Sequence, residues 1–276
     1  MSSLSIFTIG GSRNIGYLSS IRFLEMGATV TFLLRSPSVF DKDATIQKYV
    51  QAGSARLIKG DALNEADTRR AWTAAGAVDA VVFTVGTVPS GFSIRKGFTM
   101  SEPNLVTQCY LNLLCTMPTT IPQPKIISLS STGIGPTAFS ALPLILKPLY
   151  ATLNIPHEDK LGMERVAAHC AGWAWDTKAL GEPPEDVMGG ASWTQRAGLP
   201  QPGSLHSVLI IRAGFLTDGP CVADEVAKKG KGKMYRVSER ETKGISISRG
   251  DVAHFVVDVV TRRWDEFGNK RVNMTY

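Results

Sequence analysis

The glycine-rich turn Gly10-Gly11-Ser12-Arg13-Asn14-Ile15-Gly16 most constrains what this chain can fold into. The apolar run Ile6-Phe7-Thr8-Ile9 precedes it, and Ile15, Leu18, Ile21 and Leu24 recur behind it at helical spacing. Gly27 stops that helix, and a β-rich run over 28–34 follows. Strand, turn, helix and strand make one βαβ unit. Glycine suits the sharp turn from strand into helix. The backbone N–H groups and dipole at that helix N-terminus favour a phosphate.

A dinucleotide fingerprint has three glycines and, about 20 residues on, an acid for the ribose 2′-hydroxyl. Here Arg13 and Asn14 fill the loop where the middle glycine would stand, and the second strand ends in Leu33-Leu34-Arg35-Ser36, with no acid. A guanidinium at that place suits a 2′-phosphate, which it grips as a bidentate fork. Arg13 would add a second contact. The plain alternative, a glycine turn with two solvated arginines, explains neither the complete βαβ unit nor the placing of the arginines. The expected cofactor is NADP rather than NAD.

The 276 residues suit one large domain or two small ones. A net charge of +6 without a long basic face carrying interleaved aromatics argues against a nucleic-acid partner. No run reaches the roughly 18 apolar residues of a membrane span, and with no charged n-region or long apolar h-region apparent, secretion is not expected. Cys109, Cys115, Cys170 and Cys221 show no CxxC or metal-ligand spacing. They read as reduced thiols of a cytoplasmic protein, with no metal expected.

Further strands are expected at 55–59, 78–85, 125–130, 207–213 and 270–274. Helices are expected at 41–51, 64–75, 105–114, 157–169 and 252–261. Ala66, Ala71 and Trp72 are the inward residues of the third helix. About 30 residues after Gly86 read as part loop and part helix, and Lys228 to Lys233 as a flexible basic loop. The alternation predicts an α/β fold: a Rossmann-like, doubly wound parallel sheet whose C-terminal third caps a substrate cleft. One domain is expected, with a dinucleotide-binding part at 1–135 and a substrate-side part at 136–276. Residues 171–205, rich in Gly, Pro and Trp, interrupt the latter as an insertion.

With these motifs in place, the chain resembles the atypical short-chain dehydrogenase/reductase family, in its NmrA-like, NAD(P)H-binding branch. The first turn is similar to a Gly-x-Ser-Arg-Gly-Ile-Gly variant, and Leu34-Arg35 to the family's 2′-phosphate end of strand two. Gly60-Asp61-Ala62 resembles the Gly-Asp-Leu that cups adenine. Ile210-Ile211-Arg212-Ala213-Gly214 with Leu216-Thr217, and Ile247-Ser248-Arg249-Gly250-Asp251-Val252-Ala253, resemble the family's later segments. The resemblance implies that Gly10, Gly11, Ser12, Arg13, Asn14, Ile15, Arg35, Asp61, Ala62, Val85 and Gly86 hold the cofactor. For Asp61 a helix N-cap is the competing role.

The larger family reduces carbonyls with Ser, Tyr and Lys, the last two as Tyr-x-x-x-Lys. That motif is missing: Pro156, which has no donor, stands four residues before Lys160. Ser130 and Ser131 end the fifth strand, where the family's Ser sits. Lys160 stands where the Lys would hold nicotinamide-ribose hydroxyls, or else pairs with Glu164 on the surface. His157 and Tyr150 are the other proton-donor candidates. Trp173, Trp175 and Trp193 either roof an aromatic pocket or anchor the insertion. The leading expectation is an NADPH-dependent reductase of a small carbonyl or activated alkene. The alternative is an NADP(H)-sensing regulator without turnover.

Overall fold

The computed structural model describes residues 3–93, 97–242 and 244–276. The first half runs β1 (Ser5–Ile9), α1 (Asn14–Glu25), β2 (Thr29–Leu34), α2 (Ala44–Gln51), β3 (Ala55–Lys59), α3 (Glu65–Ala75) and β4 (Ala80–Phe83). A hairpin, β5 (Pro89–Ser93) and β6 (Gly97–Met100), leads to α4 (Leu105–Cys115) and β7 (Lys125–Ser131). This hairpin stands where loop and helix were expected, and residues 94–96 of that segment lie outside the described residues.

The second half begins with the helices α5 (Pro136–Ala141), α6 (Lys147–Ala151) and the long α7 (Asn154–Ala171). Two short helices, α8 (Thr177–Leu180) and α9 (Glu185–Met188), lie in the insertion. Then come β8 (Val208–Ala213), β9 (Phe215–Thr217), α10 (Val222–Lys229), β10 (Arg236–Ser238), β11 (Ser246–Ser248), α11 (Arg249–Asp258), α12 (Trp264–Phe267) and β12 (Lys270–Thr275).

Eight strands form one sheet in the order β10-β12-β8-β7-β4-β1-β2-β3. All its pairs are parallel except β10 with β12, so an antiparallel edge closes an otherwise parallel, doubly wound sheet. The winding reverses between β1 and β4, the switch point where such sheets bind ligands. Buried apolar clusters cover both faces. Phe32, Ile127 and Phe255 belong to one, and Phe7, Trp72, Tyr110 and Met163 to the other. Burial on both faces is why strands such as Ala80–Phe83 read as continuous apolar runs.

Several local expectations are corrected. The buried face of α1 is Ile15, Gly16, Ser19, Ser20, Phe23 and Leu24, whereas Leu18 and Ile21 are only partly covered. α1 packs against α11, Gly16 lies against the turn after β1, and the Ser19 and Ser20 hydroxyls return hydrogen bonds to Ile15 O and Gly16 O at 2.7 Å. In α3, Ala66 faces out and Thr68 takes the inward place beside Ala71 and Trp72. Lys228 and Lys229 close α10 rather than opening a loop, as cations suit a helix C-terminus. The helix expected at 157–169 starts earlier, at Asn154, because Pro156 is tolerated in a first turn whose N–H groups have no helical partner.

Candidate functional site

The site starts from the turn after β1. Gly10 has φ +87°, and a Cβ there would lie 2.5 Å from the Thr84 carbonyl carbon at the end of β4. A Cβ on Gly16 would lie 2.5 Å from Gly10 O. Only glycine lets the loop pass between the two strands and the first turn of α1. Arg13 is the N-cap of α1, in extended conformation, and makes no side-chain cap. Asn14 follows with φ 53°, a left-handed value that asparagine tolerates. The first N–H groups of α1 therefore have no capping side chain and no acid in the first turn. They are free to take an anion.

That N-terminus opens on a cleft of about 430 Å³. Ser12, Arg13, Asn14 and Ile15 form its middle. Arg35, Ser36, Val39, Asp61 and Ala62 line one end, and Leu129, Lys160, Leu216 and Arg249 line the other. Asp61 is not a helix cap. Asn64 caps α3 through Asp67 N, while Asp61 Oδ1 accepts Leu63 N at 2.9 Å. The Asp61 backbone N–H donates to Asp67 at 2.8 Å. A neighbouring cavity beside Arg35 and Asp61 adds Lys59, Asp67 and Arg70; Arg70 is paired with Asp67 at 2.8 Å, so Arg35 and Lys59 are the cations left to face an anion at this end. These features fit a phosphorylated dinucleotide: an open helix N-terminus for a pyrophosphate and a guanidinium where an acid would otherwise read a ribose.

No family model matches the chain. A curated relative, reductase pytE of Aspergillus terreus, is 28% identical over 188 residues, which is 64% of this chain and 60% of that protein. The match thus spans less than two thirds of the relative's length. Among solved structures, ChuY, an anaerobillin reductase from Escherichia coli O157:H7, superposes with a TM-score of 0.59 at 14% identity, over 98% of this chain and 95% of the other. A short-chain dehydrogenase from Burkholderia cenocepacia J2315, in complex with NADP, superposes with a TM-score of 0.59 at 15% identity, over 99% and 96%. The fold is that of the short-chain dehydrogenases.

On this short-chain dehydrogenase fold, the expected site residues divide. Gly10, Ser12, Arg13, Asn14, Ile15, Arg35, Asp61, Ala62, Val85, Gly86 and Lys160 all line the cleft. Gly11 does not; it is buried beneath the loop, where a Cβ would lie 2.8 Å from the Thr8 side chain. Ser130 points away from the cleft, and its hydroxyl donates to Glu164 Oε1 at 2.6 Å. That buried carboxylate also takes Arg212 Nε at 2.9 Å and Nη2 at 2.7 Å, so Ser130 is corrected from substrate contact to part of a buried ion cluster. Ser131, Tyr150 and His157 are likewise absent from the lining. The Tyr150 hydroxyl shares a 3.2 Å hydrogen bond with Thr132, and its ring packs tilted against His157 with 5.5 Å between ring centres. Burial, with Lys160 nearby, pushes His157 down to about 3, so it is neutral at physiological pH.

Lys160 reaches the cleft from the second turn of α7. It is no surface partner of Glu164, whose carboxylate is turned to Arg212 and Arg271. Burial pushes the Lys160 ammonium down to about 8, opposed by Asp159 and Glu164. Asp159 fixes α7 by accepting Val106 N and Thr107 N of α4, both at 2.8 Å. Sequence reasoning did not place Thr84, Leu105, Cys109, Leu129, Leu216 or Arg249 in the cleft. Only Leu216 and Arg249 had a signal, since both stand in the later family-like segments. Among the described residues no cluster of metal ligands is found, and no helix is long and apolar enough to cross a membrane.

Proposed function

We propose that this chain is an NADPH-dependent oxidoreductase that reduces a small organic carbonyl or activated alkene. The observation that carries the reading is one cleft holding the uncapped N-terminus of α1, Arg35 at one end and Lys160 at the other. The relative named a reductase and the fold shared with a dehydrogenase in complex with NADP support it.

The nicotinamide, when bound, supplies the hydride. The chain supplies the rest. The N–H groups of α1, with Ser12 and Arg13, hold the phosphates, and Arg35 takes the 2′-phosphate. The second oxygen of Asp61 accepts from the adenine amine, with Ala62 beside it. Lys160 ends at the part of the cleft roofed by Leu129 and Leu216, where it also reaches ribose hydroxyls. With Ser130 spent on Glu164 and His157 neutral, the Lys160 ammonium gives its proton to the oxygen that gains charge as the carbonyl is reduced. It then recovers a proton from water. The NmrA-like branch remains a reading of the sequence motifs.

A second reading, a dinucleotide sensor without turnover, is favoured by one observation: four expected donors lie off the cleft. Calorimetry separates the readings. NADPH should bind more tightly than NADH, and Arg35→Ala should cost about 1.5–3 kcal/mol of NADPH affinity, as for a lost charge-assisted hydrogen bond. If neither dinucleotide binds at about 1 mM, both readings fall. Tight NADPH binding without oxidation by any of a broad carbonyl and enone panel would select the sensor.

A further inference from the structure

A second cavity, of about 400 Å³, lies over β8 and β12, toward the opposite end of the sheet from Arg35. It shares no lining residue with the nucleotide cleft. Arg212 of β8 and Arg271 of β12 form its floor, and Ile134, Leu180 and Trp173 its apolar wall. Trp173 and Leu180 belong to the insertion, so that segment builds one side of this cavity.

The floor carries more hydrogen-bonding capacity than the protein uses. Glu164 is fully buried, and its two oxygens already accept from Ser130 and twice from Arg212. Arg271 Nε lies 2.8 Å from the same carboxylate, out of hydrogen-bond alignment, and neither Nε nor Nη2 of Arg271 has a partner among the described residues. Its guanidinium is held 5.8 Å from the ring centre of Trp173 and 5.5 Å from that of Trp175. Arg212 is 3% exposed, and its Nη1 makes a long ion pair of 3.7 Å with Glu241. One fully buried carboxylate thus serves the buried Arg212 and the partly buried Arg271, with the long 3.7 Å contact to Glu241 added at the rim, and a further anion would supply closer partners. At the rim Lys270 pairs with Glu239 at 3.0 Å. Glu239 and Glu241 both border the cavity, so a dianion would be repelled where a monoanion is tolerated.

We propose that this cavity is a second ligand site, for a small monocarboxylate with an aromatic or branched apolar body. The carboxylate bridges Arg212 Nη1 and the Arg271 guanidinium. The apolar body packs on Trp173, Ile134 and Leu180. The site is independent of the cofactor reading.

The test is calorimetry of the full chain with benzoate, benzamide and inorganic phosphate, with and without saturating NADPH. Benzoate should bind with a dissociation constant of about 1 mM or below, and benzamide and phosphate about tenfold more weakly or less. NADPH should not displace it. Arg271→Gln, which leaves Glu164 paired with Arg212, should weaken benzoate about tenfold, the equivalent of one lost charge-assisted hydrogen bond. Trp173→Leu should weaken benzoate but not phosphate and remove any benzoate-induced change in tryptophan emission; it serves as the decisive variant if Arg271→Gln does not fold. The proposal is overturned by no benzoate binding at about 10 mM. Equal binding of benzamide or phosphate overturns it too, as does displacement of benzoate by NADPH.

Discussion

Ser130 Oγ donates to Glu164 Oε1 at 2.6 Å, from the end of β7 to the middle of α7, inside a cluster that also holds Arg212 and Arg271. The pairing turns the strand-end hydroxyl away from the cleft and fixes the helix that carries Lys160. Glu164→Gln leaves Arg212 buried without its charge. The expected loss is about 3–5 kcal/mol of folding stability in urea denaturation. Ser130→Ala should cost only about 1 kcal/mol and leave NADPH affinity and turnover near wild type. Loss of turnover in Ser130→Ala with NADPH affinity intact would return Ser130 to the substrate.

The turn after β1 gives a sterically opposite pair of variants. Gly10→Ala places a Cβ 2.5 Å from the Thr84 backbone at φ +87°, so β1 and β4 must separate. A loss of about 1–3 kcal/mol is expected, with weakened dinucleotide binding. Asn14, at φ 53°, should accept glycine at little or no cost, whereas Asn14→Val should lose about 1–2 kcal/mol. Thermal denaturation beside NADPH titration measures both. An Asn14→Val protein as stable as wild type would mean that the turn adopts another conformation in solution.

These two clusters also mark how far the sequence was legible. The βαβ unit, the strand order's parallel character and the Arg35 end of the cleft follow from periodicity and glycine placement, which are local signals. The Glu164–Arg212–Ser130 cluster is not local. It joins residues 34 and 48 positions apart, and nothing in the spacing shows that Ser130 points to α7 rather than the cleft. The hairpin Pro89–Ser93 with Gly97–Met100 carries two glycines and a proline, which weaken a strand pattern. On α1, the close approach of the turn after β1 selects glycine at position 16, and Ser19 and Ser20 share the buried face, against the rule that apolar residues mark it. Tertiary contact decides each of these, and single-sequence periodicity does not report it.

His157 should set part of the acid sensitivity of the fold. Burial holds its folded-state value near 3, below the ordinary 6.5. The unfolded chain therefore binds the proton first, and stability present above about pH 6.5 is lost as pH falls toward 3. Allowing for the partial exposure of the ring, a loss on the order of 1–3 kcal/mol is expected between pH 6.5 and 4. His157→Gln should flatten that part of the stability-versus-pH curve. An unchanged slope in this variant would assign the acid sensitivity to other groups.

Lys160 should be visible in the pH dependence of the reaction itself. Its folded-state value, about 8, comes from burial, and Asp159 and Glu164 keep it from falling further. The ammonium is the form that gives up a proton, so kcat/KM for carbonyl reduction should fall as pH rises through about 8. That profile reports groups of the free enzyme. Lys160→Arg keeps a cation in the cleft but holds its proton too tightly to release it. It should retain most of the NADPH affinity and lose about 10²–10⁴-fold in kcat. Lys160→Ala should show a similar loss, partly restored by added methylamine, and the fall near pH 8 should vanish in both variants. If Lys160→Arg turns over at the wild-type rate with a flat profile to pH 9, the proton comes from water, and Lys160 serves only to bind the ribose.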